Sequence, residues 1–195
     1  MHVQTALPDG YREALKIDLQ TDKRLALLVN GAALLIGIAM AVPAHFYISI
    51  TALFDWSEGI LPYLLRFLCL VAGLLLYIVL HELVHGIAMK LCGTRKVNYG
   101  FTGLYAFAGS SDYYGKAAYR FIALAPIVVW GVVLGVACAL VPPVWFWVVY
   151  WIQITNISGA AGDLYVTIRL ARLPGDILVQ DSGVSMTVYA NSTES

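Results

Sequence analysis

Apolar residues fall into four long runs separated by short polar segments. The first, 25–51, contains no Asp, Glu, Lys or Arg. The second, 61–91, is interrupted by Arg66 near its start and by a polar cluster near its end. The third is 121–141, and the fourth, 144–170, has Asp163 and Arg169 as its only charges. A helix needs roughly 20 apolar residues to cross a hydrocarbon core of about 30 Å, so each run predicts a transmembrane helix. Val141-Pro142-Pro143 leaves room only for a tight turn, which makes the last two helices an antiparallel pair. The pattern predicts an all-α integral membrane protein with about four transmembrane helices and both termini on one side.

Between the second and third runs, glycines alternate with Tyr99, Phe101, Leu104, Tyr105 and Phe107, so 97–115 reads as a short membrane-associated β-hairpin. Residues 1–24 are polar and mixed in charge, an amphipathic or irregular lead-in without the apolar core of a signal peptide. The organisation expected is this lead-in, a four-helix domain over 25–172, and a short tail over 173–195 in which 176–189 can add a strand or two.

Composition agrees with burial in lipid. Charged residues make up 12% of the chain, half the roughly 25% of a soluble domain, and the mean hydropathy is +0.76. A soluble enzyme, a disordered chain and a disulfide scaffold are disfavoured. Twelve Lys and Arg balance twelve Asp and Glu, so no net basic field recruits nucleic acid. Three widely spaced cysteines suggest unpaired thiols.

Arg12, Lys16, Lys23 and Arg24 precede the first run, Lys90, Arg95, Lys96, Lys116 and Arg120 lie between the second and third, and Arg169 and Arg172 end the fourth. All of these fall on one side, predicting cytoplasmic N- and C-termini in a multi-pass protein of the bacterial cytoplasmic membrane. Arg66, the only positive charge on the other side, is expected to snorkel to an interface. His45 is expected to be interfacial and His2 terminal.

The cluster in the second run is His81-Glu82-Leu83-Val84-His85. On a helix, a spacing of four puts both imidazoles on one face, where two nitrogens can reach one zinc ion at about 2.0 to 2.1 Å. Glu82 would lie alongside, placed to take a proton from an attacking water and pass it to a leaving nitrogen. The alternative is a His and Glu network without metal. Burying these groups in hydrocarbon unpaired is costly, which favours a functional cluster.

A hydrolytic zinc site needs three protein ligands and one open position. Cys92 shares the face of His85, but seven residues of helical rise separate them by roughly 10 Å. Asp163 is the only carboxylate in the fourth run and sits about 20 residues from the Pro-Pro turn, as His81 and His85 sit about 20 residues from Pro62. The depths match. Alternatively, Asp163 snorkels or bonds Thr167 one turn on. Small residues at 158–162 would let this helix approach the histidines closely.

These residues resemble the site-2 protease class of intramembrane zinc metalloproteases, and more closely a family of small bacterial zincin peptidases known mainly from sequence. The resemblance covers about 63–180. It rests on the motif from His81 to Gly86, the hairpin-like 97–109, Ala123-Leu124-Ala125-Pro126 opening the third run, and 156–164 from Asn156 to Leu164. It implies that His81, His85 and Asp163 are zinc ligands, that Glu82 is the general base, and that Asn156 lies near substrate or water. It also implies that the hairpin, with Tyr99 and Phe101, pairs with an extended substrate strand. The chain departs from the better-known site-2 pattern in having Gly159 where a proline stands and Leu164 after the aspartate.

The expected function is an intramembrane zinc metallopeptidase acting on a membrane-embedded protein or peptide near the cytoplasmic boundary. The alternatives are a non-proteolytic zinc-binding membrane protein, a small transporter or channel subunit with a His and carboxylate relay, and a membrane scaffold.

Overall fold

The structure is a computed structural model that describes residues 3–103, 105–183 and 185–191. His2, Leu104, Ser192 and Thr193 lie outside the described residues. Two compact units emerge, each assembled from separate stretches of chain. One comprises Met1–Leu28, His81–Ala125 and Asp163–Ser195, and the other Val29–Leu80 and Pro126–Gly162.

The first unit contains a five-stranded antiparallel sheet built from β1 (Val3–Gln4), β2 (Tyr11–Ile17), β5 (Tyr113–Gly115), β6 (Leu178–Asp181) and β7 (Met186–Asn191). The strand order is β1-β5-β6-β7-β2. All four pairings are antiparallel. The lead-in is therefore strand rather than an amphipathic or irregular segment, and the tail supplies the two strands allowed for it. The fold is mostly helical but not all-α. Tyr114, Val179, Val188, Ile177 and Leu170 are fully enclosed, packed with Met89, Ala118 and Ile122 from helix ends. Burying side chains of this size stabilises by about 1.5 to 3 kcal/mol each.

A separate two-stranded hairpin, β3 (Asn98–Phe101) and β4 (Ala106–Gly109), occupies the aromatic segment between the second and third apolar runs. Residues 113–115 of the expected hairpin belong instead to the larger sheet as β5.

Five α-helices carry the apolar runs. Helix α1 (Lys23–Tyr47) opens on Asp22, whose Oδ1 accepts from the backbone N–H groups of Arg24 and Leu25 at 3.0 Å each. Helices α2 (Ile60–Leu91) and α3 (Lys116–Leu140) follow. These three are long and apolar enough to cross a membrane. On α2 a stripe of exposed Leu61, Leu64, Leu68, Val71, Leu75 and Val79 recurs at helical spacing, a face suited to lipid.

The expected fourth span is two helices, α4 (Pro143–Gly159) and α5 (Ala161–Ala171), separated at Ala160. The break falls between Gly159 and Gly162, each about 1 kcal/mol less favourable in a helix than alanine. Asp163 consequently lies in the first turn of α5, where the helix dipole favours a negative charge.

In the second unit Trp147 is wholly buried and donates its indole N–H to the carbonyls of Ile48 and Ser49 at 2.9 and 3.1 Å. His45 Nδ1 accepts from the N–H of Ile50 at 3.1 Å, closing the end of α1. Arg66 reaches back to the polar loop that precedes α2. It is 2% exposed, and its guanidinium donates to the Asp55 carbonyl and to Glu58 Oε2, so the loop before α2 covers it.

Candidate metal centre

His81 and His85 lie one turn apart on α2, with ring centroids 4.9 Å apart and planes at 78°. The Nε2 atom of His81 is 3.6 Å from Asp163 Oδ2, and that of His85 is 3.5 Å from the same oxygen. Each of the three residues offers a ligand atom within 4.8 Å of the others. Ligands held tetrahedrally at about 2.0 to 2.1 Å from zinc lie roughly 3.3 Å apart, so this donor set fits a zinc ion with little adjustment. All three residues belong to the first unit.

The alternatives for Asp163 do not hold. Its carboxylate turns toward the histidines, and the Thr167 hydroxyl is buried without a hydrogen-bond partner among the described residues. Cys92 is buried in the unit's core and takes no part in the triad.

The orientation of His85 is set from behind. Its Nδ1 lies 3.0 Å from the carbonyl oxygen of Ile122 on α3. A carbonyl can only accept, so Nδ1 carries a proton and Nε2, which faces Asp163, is the nitrogen left to ligate a metal. This is the arrangement that fixes a metal-binding imidazole.

Glu82 is partly buried beside the triad, and its carboxylate accepts the backbone N–H of Ala108 on β4. Strand alternation explains why that N–H is available. Thr102 donates to the Tyr105 carbonyl across the turn, so Gly100 faces Phe107 and Asn98 faces Gly109 as hydrogen-bonded pairs. Ala106 and Ala108 therefore point their backbone groups away from β3, toward the outer edge of β4. The resemblance points to Tyr99 to Phe107 as a whole, with Tyr99 and Phe101 foremost, and does not say which edge of the hairpin is open. The signal was present in the register, since residues two apart share an edge.

The hairpin is held on both faces. The Tyr99 hydroxyl rests on Gly86, immediately after the second histidine, where a Cβ would collide with it. On the opposite face the Phe107 ring lies against Gly100 and Gly183. The Ser110 N–H donates to the Asp181 carbonyl at 2.7 Å. Asp181 is anchored in turn: Tyr119 donates its hydroxyl to Oδ2 at 2.5 Å, and the Gly183 N–H reaches Oδ1 at 2.8 Å. Phe101 is exposed and rests on neither support.

Asn156 belongs to the second unit and is fully buried. Its Oδ1 accepts from the Tyr77 hydroxyl at 3.0 Å, and its Nδ2 donates to the Ile127 carbonyl at 3.3 Å and to Gln153 Oε1 at 3.4 Å. Its amide is thus engaged by protein on both sides.

A family model described as "Putative zincin peptidase" matches residues 74–178, a stretch that includes both histidines, Glu82, the hairpin and Asp163. The chain belongs to this family. It is also 31% identical over 130 residues to an uncharacterised 24.7 kDa protein of Pyrococcus woesei, an alignment covering 64% of this chain and 56% of that relative. The chain thus matches little more than half the length of that relative. No solved structure matches. Membership of a zincin family suggests a zinc metallopeptidase, and Asp181 and Gly183, which brace the hairpin, lie beyond the matched segment.

Proposed function

We propose that the protein is an intramembrane zinc metallopeptidase that hydrolyses a peptide bond of a membrane-embedded protein or peptide near the cytoplasmic boundary. The observation that carries this reading is the convergence of His81, His85 and Asp163 on one point, with the Glu82 carboxylate alongside. A bound zinc ion supplies Lewis acidity, lowering the pKa of a coordinated water from about 15.7 toward about 7 and polarising a carbonyl.

The chain's own groups do the remainder. Glu82 takes the proton from water as its oxygen attacks the amide carbon, then delivers that proton to the nitrogen as the C–N bond breaks. The Ile122 carbonyl and Asp163 keep the imidazoles in one orientation throughout. The outer edge of β4 offers the backbone N–H and carbonyl of Ala106 and the carbonyl of Ala108 to an extended substrate segment, with Tyr99 and Phe107 securing the hairpin from either face. A substrate helix must unwind locally to pair in this way, because a helical amide is already hydrogen-bonded within its own turn.

Substitution of Glu82 by Gln tests the reading. The variant is expected to retain one zinc per chain, because Glu82 is not a ligand, and to lose peptide hydrolysis by about 10²- to 10⁴-fold. Zinc retention with undiminished hydrolysis would remove Glu82 as the base. Absence of stoichiometric zinc from the wild type would point instead to a His and carboxylate relay without metal.

A further inference from the structure

Helix α3 contains a proline at 126, inside its second turn past Ile122. Proline has no amide hydrogen and cannot donate to the carbonyl four residues earlier, which in α3 belongs to Ile122. Its ring also pushes that carbonyl off the helix axis, opening it to a partner from outside the helix. The partner found there is Nδ1 of His85, at 3.0 Å. An ordinary residue at 126 would bring an N–H to the same oxygen, and the imidazole would have to share it.

We infer that Pro126 is a positioning residue for the metal centre: by withholding an N–H from Ile122, it reserves that carbonyl for His85 and so directs Nε2 toward Asp163. This rests on the reading of His81, His85 and Asp163 as metal ligands. Pro126 is fully buried, so packing alone would admit an aliphatic residue of similar size at lower cost to the helix. The chain instead keeps a helix breaker one turn beyond the carbonyl that orients a ligand. Pro43 also lies inside a helix, four residues before the end of α1.

The test uses the full chain purified in detergent, as wild type, Pro126→Ala and Pro126→Val. Both variants restore the N–H, while the side-chain volume differs between them. Zinc affinity is measured by competition with a chelating dye, alongside the thermal unfolding midpoint. Both variants are expected to bind zinc about tenfold more weakly or worse, by similar factors, whatever their unfolding midpoints. Unchanged affinity in a folded variant, or losses that follow side-chain volume, would overturn the inference while leaving the metal reading intact. A wild type that binds no zinc would overturn both. A second measurement needs no variant: nitrogen-15 spectra of wild-type imidazoles should show His85 protonated at Nδ1, with its proton shielded from exchange. A His85 whose Nδ1 carries no proton in the zinc-bound protein, or whose Nδ1 proton exchanges freely, would also overturn the inference.

Discussion

The hydroxyl of Tyr99 lies against the backbone of Gly86, joining the hairpin to the helix that carries both histidines at the residue directly after the second one. A methyl group at position 86 has no room unless the Tyr99 side chain, or the hairpin that carries it, moves. Gly86→Ala is therefore expected to keep its zinc but lose most hydrolytic activity, through displacement of β4 from Glu82. Metal content and turnover measured on the same preparation check this, and full activity in the variant would show that the hairpin can shift without consequence.

Ala106 sits at a position of β4 whose N–H faces away from β3, so proline there removes an edge donor without cutting the hairpin ladder. Ala106→Pro is expected to raise KM for a peptide substrate about tenfold, the loss of roughly one backbone hydrogen bond, with zinc content unchanged. Phe107→Pro, which does cut the ladder, should instead disorder the hairpin, as seen in faster amide exchange over 98–109. Equal KM values for wild type and Ala106→Pro would place the substrate elsewhere.

The ligand set predicts the response to chelation. Treatment with a strong chelator should abolish hydrolysis, and added zinc should restore it. His81→Ala and Asp163→Ala should each fail to hold zinc at micromolar concentration, whereas Cys92→Ala should bind as the wild type does. Elemental analysis of the purified proteins distinguishes these outcomes.

Burial pushes the Asp181 carboxyl above its usual range, against the hydrogen bonds from Tyr119 and the Gly183 N–H that pull it down. The folded chain thus holds this proton more tightly than the unfolded chain does. The corresponding stability is fully present below the ordinary Asp pKa of about 3.9 and is lost as pH rises through the higher folded value. Asp181→Asn should lack this dependence. Unfolding midpoints of both proteins, followed upward from about pH 4, are expected to converge or cross as the wild type loses that contribution. Parallel curves would mean that the carboxyl is not raised.

The histidine pair was legible because its spacing matches the helical repeat, and Asp163 because equal distances from two turns set equal depths. The two strands of the tail were anticipated, but those before α1 were not. The β2 sequence Tyr11–Ile17 shows no clean alternation, since its partner β7 lies far along the chain and only part of its face is covered. The α4 to α5 break escaped notice because neither proline nor a charge marks Ala160, and small residues are as common in continuous membrane helices. The burial of Arg66 was not legible because it depends on a loop that covers it, and loop conformation leaves no periodic trace. The role of Ile122 left a clue that went unread: a proline in a helix always orphans the oxygen four positions back.

Strands from before α1, from between α2 and α3, and from after α5 are zipped into one sheet. A sheet cannot straddle a bilayer, so in a membrane those three stretches would share a compartment. If α1, α2 and α3 each traverse the lipid, the count at the end of α3 is odd, and the chain must come home before β6 begins. On that condition the return leg would fall to the stretch formed by α4 and α5, the second of which carries Asp163.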